Sequence, residues 1–111
     1  MAFQPTKQVY SGCIREVTLG QGDKAITVGG KASYPFHTFE AEMPRLPRVA
    51  MEVWDKDPDA EWSDAAKAPF RDVLSDPAAW ARKCVEAYGA EIIVVQTKSA
   101  DPNADNRPST E

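Results

Sequence analysis

Cysteine and histidine are scarce in this chain. Cys13 and Cys84 form no CxxC pair, neither has a histidine beside it, and His37 is the only histidine. A cysteine-ligated zinc or iron–sulfur site would need donors that are missing here. Two reduced thiols in a cytoplasmic protein are the expectation, because spacing alone does not establish a disulfide. Long apolar runs are also missing, and none approaches the roughly 20 residues needed to cross a bilayer. The opening MAFQPTKQVY has neither an apolar core nor a small-residue cleavage pattern, so no export signal is read. There is no basic block: Lys and Arg are scattered, the net charge is -4 and the pI is about 5.0. Broad electrostatic binding to nucleic acid is thereby excluded. No repeat or low-complexity segment appears. At 111 residues the chain is one domain or a piece of one, with a modest core.

What is present centres on residues 34–55, YPFHTFEAEMPRLPRVAMEVWD, which hold His37, Phe36, Phe39 and three prolines. Pro35, Pro44 and Pro47 forbid a long helix. The stretch reads as a loop over an apolar surface that feeds a strand at 48–55. In that strand Val49, Met51 and Val53 alternate with Ala50, Glu52 and Trp54. Glu52 would need a partner if its face were buried.

Before this stretch, residues 1–11 read as a frayed lead-in. Residues 13–19 and 24–28 read as two short strands of a β-hairpin across Gly20-Gln21-Gly22-Asp23. Such a hairpin is marginal alone and is expected to pack on something else. GQGDKAITVGG does not fit a phosphate-binding loop, because no helix signal follows its first glycines. After it, 56–63 is a polar loop, and 64–74 holds a short helical turn around Pro69 with Phe70, Val73 and Leu74 as its apolar stripe. Asp76 and Pro77 make a strong helix start, as N-cap and first helical residue. Trp80, Cys84, Val85 and Tyr88 share one helix face, and Gly89 closes the helix. Residues 91–98 form a second main strand whose continuous apolar run predicts cover on both faces.

Strand, helix and strand make a βαβ unit. The fold class is therefore α/β: a leading hairpin, then a βαβ unit that reads as the first part of a longer (β/α) barrel left incomplete in this chain, or as a small domain that completes itself by oligomerising. The hairpin and barrel portion occupy residues 12–103, and 104–111 form a polar tail that reads as truncated. The free strand edges call for closure or for a partner. Ligand-facing residues in such folds lie at the carboxyl ends of strands. Here these are residues 54–57 and 98–103.

Several motifs in order resemble one family: Ile14-Arg15-Glu16-Val17-Thr18-Leu19-Gly20, Ala25-Ile26-Thr27-Val28-Gly29-Gly30, Tyr34-Pro35-Phe36-His37-Thr38-Phe39-Glu40 with Glu42, Met51-Glu52-Val53-Trp54-Asp55, Asp76-Pro77-Ala78-Ala79-Trp80-Ala81 with Lys83-Cys84-Val85-Glu86, Tyr88-Gly89-Ala90, and Asp101-Pro102-Asn103. Together they cover most of residues 9–103. They resemble the N-terminal part of the small (delta) subunits of acetyl-CoA decarbonylase/synthase complexes, the smaller half of the corrinoid iron–sulfur protein. Ala41 stands where such subunits often have glycine.

The resemblance implies a (β/α)8 barrel paired with a large (gamma) subunit that carries an iron–sulfur cluster and a corrinoid-binding domain. The corrinoid (cobalamin) would be shared between the two subunits, with no iron–sulfur cluster on this chain. The methyl group would pass from methyltetrahydropterin, through a methyltransferase, to cobalt and on to acetyl-CoA synthase. The corrinoid contacts implied here are Trp54, Asp55, Lys98, Asp101 and Asn103, with no catalytic and no metal-ligating residue. Two other readings stand beside it. One is a pterin-dependent methyltransferase-like barrel fragment in which Asp101 and Asn103 hold the pterin, unless they simply make an Asp-Pro-Asn turn. The other is a small self-associating α/β domain without ligand chemistry.

Overall fold

The computed structural model describes residues 2–4, 9, 11–32 and 43–108. The chain divides into two compact units, Met1–Arg48 and Val49–Glu111. The segment with Tyr34, Phe36, His37, Phe39, Glu40, Ala41 and Glu42 lies outside the described residues, as do parts of the N-terminal lead-in and the last three residues of the tail.

In the first unit, β1 (Val17–Leu19) and β2 (Ile26–Val28) pair antiparallel, with Thr18 opposite Thr27. The two threonine hydroxyls hydrogen-bond to each other at 2.9 Å. The strands are shorter than predicted. Lys24 belongs to a 3-10 turn, Gly22–Lys24, instead of opening a strand, and Gly20 and Gly22 take left-handed φ of 84° and 63° around it. The pairing resumes past β1, where the Ile14 N–H donates to the Lys31 carbonyl and the Gly30 N–H to the Ile14 carbonyl, each at 2.8 Å. Gly29, at φ 97°, lies so close to this strand that a Cβ would sit 2.1 Å from the Arg15 carbonyl oxygen. Gly29 thus serves backbone approach. Arg45 reaches Glu16 at 3.2 Å across the surface, a pairing worth about 0–1 kcal/mol. No described side chain of this unit is buried.

In the second unit, β3 (Ala50–Trp54) and β4 (Ile92–Gln96) are adjacent and parallel, as predicted, in a register that sets Ala50 against Ile92 and Trp54 against Gln96. Between them run α1 (Asp64–Lys67), a 3-10 turn at Ala68–Phe70, and α2 (Pro77–Glu86). Asp76 caps α2 by accepting from the N–H groups of Ala78 at 3.0 Å and Ala79 at 3.1 Å. Pro77 occupies the first turn, where a missing N–H costs nothing. At the other end Gly89 takes φ 69°, and its N–H bonds the Val85 carbonyl at 3.1 Å.

The core is Val53, Trp54, Leu74, Trp80 and Cys84, with Met51, Trp62, Phe70, Val73, Ala81, Ala90 and Ile93 packed against it. Its rings form a chain from Trp54 to Trp62 at 5.3 Å, to Trp80 at 5.5 Å, to Phe70 at 6.0 Å, and on to Tyr88 at 5.4 Å. Edge-on and tilted contacts of this kind add to area burial. Cys13 and Cys84 are both free thiols, the first exposed, the second buried so that its thiol pKa is pushed up.

Two expectations need correction. Val85 is 48% exposed and Tyr88 is exposed as well, so α2 buries a narrower stripe built on Trp80 and Cys84. β4 is not covered on both faces: Val94 is 43% and Val95 60% exposed, because the crossover helices α1 and α2 screen only part of the sheet. Glu52 is exposed and accepts the Trp54 indole N–H at 3.1 Å. The sheet has two strands among the described residues and closes no barrel.

Candidate functional site at the carboxyl edge of the sheet

Parallel pairing carries the ends of β3 and β4 to the same edge. The loops that follow, 55–63 and 97–107, meet there. Of the five residues singled out from the sequence, Trp54, Asp55 and Lys98 come together at this edge. The Lys98 ammonium sits over the Trp54 ring, 5.2 Å from its centroid, a cation–π contact strengthened by partial desolvation. It also faces Glu61 at 3.8 Å. Lys56 lies on the other side of Glu61, at 4.0 Å, and pairs with Asp105 at 3.1 Å.

Asp55 is tied to the opposite loop. Its N–H continues the sheet by bonding the Gln96 carbonyl at 3.2 Å. One carboxylate oxygen accepts the Ser99 N–H at 2.9 Å, and the other accepts the Ser99 hydroxyl. Desolvation pushes its pKa up, but the hydrogen bonds, led by the Ser99 hydroxyl and N–H, outweigh it and hold the carboxyl below the ordinary aspartate range.

Asp101 and Asn103 play different parts. The Asp101 side chain accepts the Asn103 N–H at 2.8 Å, the geometry of an Asx turn. The Asp101 carbonyl accepts the N–H groups of Ala104 and Asn106, both at 3.0 Å. Asp101 is thus engaged in its own turn, and Asn103 is exposed at the loop's tip. Lys56 and Ser99 fall within the ranges 54–57 and 98–103 read from the sequence but were not among the five, and sequence reasoning missed Glu61 and Trp62. Parallel register does carry a signal for Ser99, since residues just past Trp54 and Gln96 must share one edge. Trp62 gave none, because it stands in a polar loop.

The edge can bind through exposed polar groups, Gln96, Thr97 and Asn103, around a charged cluster whose members are already paired. Among the described residues no group of three or more His, Cys, Asp or Glu side chains is arranged to hold a metal ion. No helix among them is long and apolar enough to cross a membrane.

The chain matches the family model described as CO dehydrogenase/acetyl-CoA synthase delta subunit over residues 16–109. It is 39% identical to the acetyl-CoA decarbonylase/synthase complex subunit delta of Archaeoglobus fulgidus, across 98% of this chain and 25% of that protein. Identity to the subunit of the same description from Methanocaldococcus jannaschii is 30%, across 98% of this chain and 28% of that one. For Methanopyrus kandleri the figures are 32%, 90% and 26%. The chain spans about a quarter of the length of these curated relatives.

Proposed function

Because this chain belongs to the CO dehydrogenase/acetyl-CoA synthase delta subunit family, we propose that it serves an acetyl-CoA decarbonylase/synthase complex as part of a corrinoid-protein subunit. In this reading it supports methyl transfer from a methyltetrahydropterin, by way of a methyltransferase, to acetyl-CoA synthase. Its βαβ unit is the first of a (β/α)8 barrel, and its immediate partner is a large subunit that carries the iron–sulfur cluster. The observation that carries the reading is the family match over residues 16–109, which includes both main strands and the loops at their carboxyl ends.

A corrinoid is a large, flat ring fringed with amides, and when bound it supplies a cobalt centre that takes up and passes on a methyl group. The residues at this edge fit one rim of such a ring. Gln96, Thr97 and Asn103 offer exposed hydrogen-bonding groups. Trp54 lies beneath Lys98 and against Trp62, so it supports the rim and is not an open stacking surface. A rim of this kind meets the cost of ordering a large ligand poorly by itself, which supports a site shared with the large subunit.

The test is to titrate cobalamin against this chain, alone and with the large subunit, following cobalt-centred absorbance. The expected result is weak binding alone and tight binding together. Tight binding by the chain alone, indifferent to changes at Trp54, Lys98 and Asn103, would overturn the shared site.

A further inference from the structure

The geometry points to Asp55 as a positioning residue: through Ser99 it sets the loop of residues 98–107, and the loop's exposed tip at Asn103 makes the contact that a ligand at this edge would feel. The inference rests on the corrinoid reading above, and it moves Asp55 from direct contact to support.

Both Asp55 oxygens accept from Ser99. One takes the Ser99 N–H at 2.9 Å and the other takes the Ser99 hydroxyl. A ligand that bonded the carboxylate directly would compete with a charge-assisted pair, which is stronger than neutral hydrogen bonds. Ser99 is also the joint at which the loop closes, because its carbonyl accepts the Arg107 N–H at 2.9 Å. Within the loop, the Asp101 side chain holds Asn103, and the Asp101 carbonyl holds Ala104 and Asn106. Asn106 takes a left-handed φ of 48° to complete the turn. Lys56, next to Asp55, pairs with Asp105 on the far limb at 3.1 Å. The loop is therefore closed upon itself and fastened to the end of β3 at two points, Asp55 to Ser99 and Lys56 to Asp105. A contact residue on a loop fixed beforehand avoids the ordering cost that a loose loop would bring to binding.

The experiment compares the wild-type chain with Asp55→Asn, Ser99→Ala and Ser99→Thr. Each is read by amide hydrogen exchange, by near-ultraviolet circular dichroism of the tryptophan core, and by cobalamin titration in the presence of the large subunit. Asp55→Asn should speed exchange at Ser99 and Arg107 by about tenfold or more while leaving the core signal in place. It should weaken cobalamin binding by roughly tenfold. Ser99→Ala should move both readouts the same way, and Ser99→Thr, which keeps both donors, should recover most of the difference. If Asp55→Asn does not fold, the two serine variants decide. Faster loop exchange with unchanged cobalamin affinity would overturn the inference, and so would lost affinity with unchanged exchange, which would make Asp55 a direct contact. Failure of the wild-type chain to bind cobalamin with the large subunit would overturn the functional reading instead. The positioning role would then stand on faster exchange in Asp55→Asn, or fall on unchanged exchange.

Discussion

Trp80 shows how a single side chain organises the second unit. It is 1% exposed and meets Trp62 edge-on and Phe70 at a tilt. Its indole N–H has no hydrogen-bond partner among the described residues. Trp80→Ala should therefore cost about 3–5 kcal/mol in a urea unfolding measurement. Trp80→Phe should cost much less, because the smaller ring also removes an unsatisfied donor. A loss below about 1 kcal/mol for the alanine variant would show that this ring is not the centre of the core. Gly29 acts at the same scale in the first unit, where a Cβ would collide with the Arg15 carbonyl.

At the scale of the element, α2 is specified from its ends. Asp76 satisfies two N–H groups that the first turn leaves without intrahelical partners, and Gly89 takes the left-handed conformation that ends the helix. Lys83 ties the helix to Asp72 in the preceding turn at 2.6 Å. Asp76→Ala should lower stability by about 1 kcal/mol, whereas Asp76→Asn, which keeps an accepting oxygen, should retain most of it. Chemical denaturation of the two variants checks this. Equal losses would mean that the aspartate acts through its charge and not as a cap.

On the scale of the molecule, the second unit has a small core and a two-stranded parallel sheet whose apolar residues are only partly covered. Val94 and Val95 are exposed, and each strand has one neighbour among the described residues. Exposed strand edges are templates for further pairing. The isolated chain should therefore associate, and its thermal midpoint should rise with protein concentration. Scanning calorimetry across a wide concentration range checks this. A dilute monomer with a high, concentration-independent midpoint would refute it.

The amino-acid sequence by itself determined what short-range chemistry controls. Asp76, Pro77 and Gly89 act within one helical turn, so α2 was legible. Paired short runs across glycines specified the hairpin, and strand–helix–strand order specified the parallel pair. The ordered motifs marked the family before any geometry was known. Tertiary structure alone decided exposure and partnership. Val85 and the outer residues of β4 have the apolar character of buried positions, yet burial depends on a second layer that local pattern does not encode. Trp54 is covered because Trp62 folds back from a polar loop. Asp55 meets Ser99 because parallel register delivers two loops, distant in the chain, to one edge. Partnerships of that kind are properties of the assembled sheet, and no window of sequence contains both halves.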